Sequence, residues 1–333
     1  MKVNARAWVL VASVAGLAVA VWAFASTGFG DVLEATGRIG VGGFLAFCAY
    51  SLCVSLVLGA AWLSAAPGIP WRRVGVFAWA RIVREGVADL LPFSQVGGLI
   101  VGARTLAARG IEPPLAYGSM IVDMTTEMAA QLVFTLFGIA FFVVLLWANP
   151  DASRLLPLIL GGTGVMVALI GALFLTQRNA LGWAARLSSL VPAGSMVAME
   201  NLAAEMRRIY AHRSRVFSAF LFNLAAWVAS AFGAWIALRL MGIATSVWTV
   251  LTIESLIFTV RSVAFAIPGA VGVQEAAYVL LGPLLGLTPT AALALSLAKR
   301  ARDVATGLPA VVAWQAHEAG ALVREGRSRS ERS

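Results

Sequence analysis

Long apolar runs recur along this chain, and they constrain its fold more than any other feature. One run, Val41–Leu63, contains no charged residue and exceeds the roughly 20 residues that a helix needs to cross the hydrocarbon core of a bilayer. Hydrophobic residues make up 60% of the 333 residues and charged residues 12%, whereas soluble domains carry about 25% charged residues. The sequence therefore predicts an all-α, polytopic integral membrane protein, because helices satisfy their own backbone hydrogen bonds in lipid.

About six of these runs are long enough to be full membrane spans. The first is longer than the apolar core of a signal peptide, which favours a transmembrane helix near the N-terminus. The predicted full spans are Ala7–Ala25, Val41–Leu63, Leu115–Trp147, Leu155–Leu175, Val216–Leu240 and Pro289–Gln315.

Two further apolar segments, 71–110 and 246–285, are interrupted by proline and glycine. Non-helical backbone is tolerated at membrane depth only where protein or water surrounds it, so these breaks indicate re-entrant hairpins. A helix lying at the interface is the alternative for the first segment, and counting both segments as full spans would give eight or more spans. The breaks are at Pro92, Gly97 and Gly98 in the first segment and at Pro268, Gly269 and Gly272 in the second.

The Lys and Arg residues lie mainly on one side of the predicted membrane. With the N-terminus inside, 18 of the 25 Lys and Arg residues fall on the cytoplasmic side and 3 on the outer side, as the positive-inside rule requires. This asymmetry predicts a multi-pass membrane protein with cytoplasmic N- and C-termini. It also attributes the net charge of +9 to topology rather than to nucleic-acid binding. The other four cations lie within the membrane region, at Arg261, Lys299, Arg300 and Arg302.

The chain divides into one membrane domain, 1–316, and a charged cytoplasmic tail, 317–333, which we expect to be disordered. Within the domain, two units of about 41–147 and 216–316 flank a linking span and a polar segment, 155–215. The polar segment contains an amphipathic helix that we expect to lie on the cytoplasmic leaflet. Its apolar stripe consists of Met199, Leu202, Met206 and Ile209.

The two units resemble each other at a constant separation of 176 residues: Pro92 corresponds to Pro268, and Pro113 of a Gly-x-x-Pro turn corresponds to Pro289. Because the two units enter the predicted membrane from opposite sides, we expect an inverted repeat. Broken segments at corresponding places of inverted halves are typical of transporters with a site near the bilayer midplane. At the same separation, Asp123 corresponds to Lys299 and Glu127 to Asp303.

Four charged residues lie close together in the last span. At roughly 2.5–3.5 kcal/mol each at a helix centre, they would cost about 10–14 kcal/mol in contact with lipid, so this helix must face protein or a hydrated cavity. Lys299 and Asp303 are spaced to pair along one helix face, and the net positive charge of the cluster suits a phosphate or carboxylate. The cluster consists of Lys299, Arg300, Arg302 and Asp303.

The other ionisable residues of the membrane region admit two interpretations. Asp123 and Glu127 share a helix face and either hold a proton or a cationic headgroup, or neutralise the arginines as a static ion pair. An intramembrane enzyme acting on polyprenyl or hopanoid lipids would have to use the same pair. Glu275 lies just after the Pro-Gly break, and irregular backbone at membrane depth occurs only where protein or water surrounds it. Its position is therefore less easily explained as a chance ion pair. The candidate substrate-path residues are therefore Arg81, Arg84, Glu85, Asp123, Glu127, Glu254, Arg261, Glu275, Lys299, Arg300, Arg302 and Asp303, with Arg81–Glu85 and Glu254–Arg261 as further pairs.

Metal, cofactor and enzymatic chemistry are not indicated. Cys48 and Cys53 are spaced onto different helix faces, and His212 and His317 lie far apart in polar flanks, so the sequence offers no metal-ligand cluster. It also has no nucleotide-binding loop and no nucleophile motif. We therefore expect no cofactor, no metal, no nucleic acid and no enzyme activity. The expected partner is a membrane lipid, with lipid-biosynthesis or lipid-export proteins as further candidates.

Several motifs occur together around the two breaks and in the last span. They are Arg81-x-x-x-Glu85, Leu91-Pro92, Gly97-Gly98, Pro268-Gly269-x-x-Gly272-x-x-Glu275 and Lys299-Arg300. Together they resemble the flippase-like transmembrane domain of lysylphosphatidylglycerol synthases over about residues 5–316. Within that family the chain is most similar to the hopanoid-biosynthesis-associated branch, through the stretches 91–98 and 298–302. The resemblance implies lipid translocation between the leaflets of a bacterial inner (plasma) membrane, with the broken hairpins and their charges forming the headgroup path.

Two departures from the family pattern shape this expectation. The full synthases carry a soluble aminoacyl-transferase domain after the membrane part, whereas only a short tail follows here, so we expect no synthase activity. Many relatives place an acid where this chain has Gly98, which favours an uncharged or weakly polar lipid such as a hopanoid. The alternative function is a non-transporting scaffold for lipid-modifying enzymes, which would bury the same charges as a static network without an open cavity.

Overall fold

The computed structural model describes residues 29–90, 95–146, 193–263 and 270–330, together with isolated positions between 157 and 171. The predicted spans Ala7–Ala25 and, for the most part, Leu155–Leu175 lie outside the described residues, as do Pro92, Pro268 and Gly269. Regular structure in the described ranges is helical, which confirms the all-α class. The helices are α1 (Phe29–Gly37), α2 (Gly40–Ser64), α3 (Val74–Leu90), α4 (Gln95–Ala107), α5 (Pro113–Leu146), α6 (Ala193–Ala211), α7 (Arg213–Leu240), α8 (Val247–Val263), α9 (Val273–Leu284) and α10 (Pro289–Ser330).

Three helices within the described ranges are long and apolar enough to cross a membrane. They are α2, residues Pro113–Phe142 of α5, and α7, and each coincides with a predicted span to within a few residues. Apolar side chains on α2 are exposed at the protein surface, including Val41 at 79% and Leu45 at 61%. Large apolar side chains in contact with the surroundings are expected of a helix that faces lipid. The chain is therefore a multi-pass membrane protein.

The last helix is longer than the sequence predicted. α10 contains 42 residues and is about 63 Å long at 1.5 Å per residue, roughly twice the thickness of the hydrocarbon core. It begins at Pro289 as expected but continues past Gln315 to Ser330. The expectation of a disordered tail from His317 is therefore wrong up to Ser330, because the Ala, Glu and Arg residues of this segment favour a helix.

Each interrupted segment forms two helices that pack against each other, α3 with α4 and α8 with α9. The chain between them, at 91–94 and 264–272, contains Pro92 in the first segment and Pro268, Gly269 and Gly272 in the second, whereas the predicted breaks Gly97 and Gly98 lie within α4. α4 and α9 contain 13 and 12 residues, so they are only about 20 Å long and shorter than a bilayer core. A hairpin of this kind fits into the interior of a helical protein better than it spans lipid.

Two turns separated by 176 residues have the same geometry. Gly110 and Gly286, just after α4 and α9, have φ angles of 80° and 86°, which glycine adopts without strain. In both turns the amide after the glycine donates to the carbonyl five residues earlier, at 3.2 and 2.9 Å. A helix then begins at a proline, Pro113 for α5 and Pro289 for α10.

The helices of the two units contact one another in corresponding pairs. α2 packs against α7, and these are the opening helices of the first and second units. α3 of the first unit packs against α10 of the second, and α8 of the second packs against α5 of the first. Each broken hairpin therefore lies against the long charged helix of the other unit.

The amphipathic helix α6 packs its apolar stripe on protein. Ile209 is fully buried and Met206 is 7% exposed, and Ile209 and Leu202 lie within 4 Å of the Cβ position of Gly118 on α5. The position of α6 at the cytoplasmic leaflet stays a prediction, but this part of its apolar stripe faces protein rather than lipid. Packing on α5 removes the same apolar area from water as lipid would.

Gly86 marks the closest approach of α3 and α10. A Cβ on Gly86 would lie 2.9 Å from the carbonyl oxygen of Gly307. Because backbone cannot yield easily, we expect Gly86→Val to destabilise the protein by about 1–3 kcal/mol, measured as a lower melting temperature in detergent. On the same helix, Gly75 has no neighbour within 4 Å of its Cβ position, so Gly75→Val is the matched control and should change stability by less than about 0.5 kcal/mol. Equal losses in both variants would contradict a close contact at Gly86.

Candidate functional site

Arg81 of α3 is the centre of the first buried group of charges. It is 2% exposed and donates from Nε to Glu85 at 2.5 Å, from Nη1 to Asp123 at 3.1 Å, and from Nη2 to Glu127. Arg84 donates to the other oxygen of Glu127 at 2.9 Å. The i,i+4 spacing on α3 and on α5 places these groups on facing sides of the two helices. The predicted Arg81–Glu85 pair is present, and the carboxylates of α5 neutralise the arginines of α3.

These contacts also change the count of Lys and Arg residues that was used to predict the topology. Arg81 and Arg84 are 2% and 8% exposed and form ion pairs inside the protein, so they do not act as exposed cytoplasmic loop residues. The excess of cytoplasmic Lys and Arg persists without them.

Asn223 of α7 donates a hydrogen bond to the carboxylate oxygen of Asp123 that Arg81 does not contact. Its side-chain nitrogen donates to Asp123 Oδ1 at 3.2 Å and to the Thr126 hydroxyl at 3.1 Å, and all three residues are buried. Both oxygens of this buried carboxylate therefore have donors, which buried charge requires. Asn223 was not among the predicted site residues, although a lone amide in an apolar span is a signal for a buried polar contact.

The second unit has its own buried group, with the signs of the charges exchanged. Lys299 of α10 donates to Glu254 of α8 at 2.5 Å and to the Tyr278 hydroxyl of α9 at 3.0 Å. Tyr278 in turn donates to the other oxygen of Glu254, and each of the three is at most 3% exposed. In the first unit the hairpin supplies arginine and the long helix supplies acids; in the second the hairpin supplies the acid and the long helix supplies lysine.

The partner of Lys299 differs from the expected one. The sequence predicted pairing with Asp303, and Glu254 was expected to pair with Arg261. Glu254 is fully buried, where an unpaired carboxylate would cost several kcal/mol, so it takes the lysine. Asp303 has a 29% exposed side chain and accepts from Arg302 at 2.5 Å.

Glu275 has a structural role at the second break. Its Oε2 accepts from the Gly272 amide at 2.7 Å, which is the half of a capping box that the third helical residue supplies at the start of α9. Its Oε1 accepts from Arg300 Nε at 2.6 Å and from the Ser296 hydroxyl at 3.2 Å. Glu275 therefore fixes the start of α9 and ties it to α10.

A cavity of about 510 Å³ lies among α2, α3, α5, α7, α8 and α10, a size typical of small-molecule sites. Both units contribute to its wall. Acidic and cationic side chains are equally numerous in the lining, and hydroxyl, aliphatic and aromatic groups fill the rest. The charged lining residues are Arg81, Arg84, Glu85, Asp89, Glu127, Arg261, Arg302 and Asp303.

The cavity divides the predicted site residues into two sets. Seven of the twelve line it, and the other five are held in buried or capping contacts away from the lining. Asp89 lines the cavity but was missed by the sequence analysis. The signal was available, because Asp89 continues the i,i+4 series of Arg81 and Glu85 on α3. The five residues away from the lining are Asp123, Glu254, Glu275, Lys299 and Arg300.

The cationic side chains clustered in the last span do not form one binding site. Successive residues of a helix point about 100° apart, so neighbours in sequence face different surroundings. Lys299 reaches α8 and α9, Arg300 reaches Glu275, and Arg302 lines the cavity. The net positive charge expected to bind a phosphate as a unit is therefore distributed over three places.

The glycines of the first break support packing. Gly97 and Gly98 lie in the first turn of α4, and a Cβ on Gly98 would be 2.6 Å from the Arg84 carbonyl oxygen. Gly98 therefore allows α4 to approach α3. Across 29–90, 95–146, 193–263 and 270–330, no group of three or more His, Cys, Asp and Glu side chains is placed to hold a metal ion.

A protein-family model described as the lysylphosphatidylglycerol synthase TM region matches residues 9–310. The match covers most of the chain, so the protein belongs to this family, as the sequence motifs predicted. No curated protein and no solved structure matches the chain.

Breaking the second buried group should strongly destabilise the protein. Lys299→Met leaves Glu254 as a buried carboxylate without its cation, and we expect a loss of about 3–5 kcal/mol, measured as a lower melting temperature in detergent. Adding Glu254→Gln should recover most of that loss, because the amide carries no charge. Arg38→Met removes an exposed pair with Glu34 and should cost less than about 1 kcal/mol. Failure of the double variant to recover would show that the charge of Glu254 is not the cause.

Proposed function

We propose that this member of the lysylphosphatidylglycerol synthase transmembrane-region family moves a lipid between the leaflets of the bacterial inner membrane. Family membership supports a membrane protein that handles lipids. The observation that carries the proposal is the charged cavity of about 510 Å³ between the two units. A polar pocket inside a membrane protein offers a headgroup an alternative to hydrocarbon, and ionisable residues at membrane depth typically mark a substrate path.

The cavity favours transport over a scaffold. A static scaffold would close its charges on each other, as Lys299 and Glu254 do. The side chains of Glu85, Asp89 and Asp303 are instead 39%, 31% and 29% exposed, so the lining is open to a polar ligand. A non-transporting scaffold for lipid or hopanoid biosynthesis enzymes remains the second candidate, supported by the buried pairs.

The arrangement of the helices supports alternating access as the mechanism. We propose that the two units form an inverted repeat, on the basis of the matching turns at Gly110 and Gly286 and the reciprocal packing of α3 on α10 and α8 on α5. Small rotations of the hairpins against these long helices would open the cavity to one leaflet and close it to the other. Proton coupling through Asp123 and Glu127 is part of this hypothesis, with a hopanoid or a phospholipid as the cargo.

Filling the cavity tests the proposal. Ser230 of α7 lines the cavity, so Ser230→Trp should abolish transfer of tail-labelled fluorescent lipids in proteoliposomes. The rate, read from quenching of outer-leaflet label by dithionite, should fall to that of protein-free vesicles because the headgroup path is blocked.

Val228 provides the matched control. It lies two residues away on α7 and is 42% exposed, so Val228→Trp should keep the wild-type rate. Melting temperatures of both variants report whether the fold is intact. Wild-type protein that moves lipid no faster than protein-free vesicles would overturn transport and favour the scaffold.

A further inference from the structure

We propose that the cavity receives a zwitterionic phospholipid headgroup, one that carries a phosphate and an ammonium group. Asp89 and Glu85 would accept from the ammonium, and Arg84 and Trp227 would donate to the phosphate. The inference rests on the proposed function, because it names the substrate class of the same cavity.

Two side chains of the cavity wall have a buried donor without a hydrogen bond, although Arg84 Nη1 also lies 3.7 Å from Asp123 Oδ2 in an ion pair. Nη1 of Arg84 and Nε1 of Trp227 are buried and have no hydrogen-bond partner among the described residues, and both side chains line the cavity. The Arg84 residue is 92% buried, since 8% of its surface is exposed. Buried donors without acceptors are costly, and phosphate oxygens are the acceptors that guanidinium binds best.

The same wall contains two carboxylates that are partly exposed and not fully engaged by cations. The nearest cation to Asp89 is Arg261, at 3.9 Å from nitrogen to oxygen, which is beyond hydrogen-bond distance. Glu85 accepts from Arg81 through one oxygen and is 39% exposed. These carboxylates lie one turn apart on α3, and an ammonium group has three donors to share between them.

The charge of the whole site disfavours headgroups that are only anionic or uncharged. The lining holds equal numbers of cationic and acidic side chains, and Asp123, which contacts Arg81 from behind, adds a further negative charge. A headgroup that is only anionic would increase the excess of negative charge where screening is weak. An uncharged headgroup would displace water from the lining without supplying a charge to pair with its ionised groups.

The sequence suggested that Gly98, in place of an acid, favours an uncharged lipid. The structure gives Gly98 a different reason. The close approach of its Cβ position to the Arg84 carbonyl explains the absence of an acid there by packing. The headgroup class is therefore inferred from the residues that line the cavity and not from Gly98.

The test compares three tail-labelled lipids with identical acyl chains in proteoliposomes of the full chain. They are phosphatidylethanolamine, which is zwitterionic, phosphatidylglycerol, which is anionic, and glucosyl diacylglycerol, which is uncharged. We expect the wild type to move phosphatidylethanolamine fastest. Asp89→Asn should remove its advantage over phosphatidylglycerol, whereas Trp227→Phe should slow both phospholipids relative to the glucosyl lipid. Glu34→Gln, at an exposed site on α1, is the control and should behave as wild type.

A binding measurement separates recognition from transport. Glycerophosphoethanolamine should raise the melting temperature of the detergent-purified protein more than glycerophosphoglycerol does, and Asp89→Asn should abolish the difference. Absence of all lipid movement would count against the proposed function, and the melting shifts would then decide the headgroup alone. Equal movement of the three lipids, or equal shifts with the two soluble headgroups, would overturn the inference while leaving lipid transport intact.

Discussion

A charge buried away from water is tolerated in this protein only where opposite charges and donors meet it, and that requirement organises both units. Arg81 is enclosed by Glu85, Asp123 and Glu127, and the Lys299–Glu254 pair is completed by the Tyr278 hydroxyl. Each group joins the first helix of a broken hairpin to the long helix that follows it. Removing one member would leave a partner unpaired in a medium of low dielectric, so the hairpins are held in place by the charges they bury.

The broken hairpins explain why a cavity forms beside these pairs. α4 and α9 are too short to span a bilayer, and each hairpin rests on a long helix of the other unit. Short helices leave space that full spans would fill, and the charged side chains that line it include paired ones, such as Arg81 and Glu127, as well as the loosely paired Asp89. Static ion pairs and an open polar lining therefore occur side by side in the same helix packing. The ion pairs are the feature expected of a scaffold, and the open lining is the feature expected of a transporter.

Much of the fold was predictable because it depends on residues close together in the chain. The apolar runs predicted α2, α5 and α7, and the Pro/Gly breaks predicted the division of both hairpins. The pairing of Arg81 with Glu85 followed from one helical turn. Asp89 was missed although it continues the same series, and the stripe of α6 was assigned to lipid because a pattern of apolar residues does not reveal what covers it.

By itself, the sequence determined that this protein lies in a membrane as a set of helices, where the helices break, and to which family it belongs. These properties depend on local hydrophobicity, on proline and glycine, and on motifs that are contiguous. Only the tertiary structure decided which charges meet, because Arg81 and Asp123 are 42 residues apart, Glu254 and Lys299 are 45 apart, and Asn223 lies 100 residues from Asp123. Pairing depends on how helices pack around buried groups, so only the tertiary structure shows which charges are buried in pairs, which line the cavity, and which, like Arg81, do both.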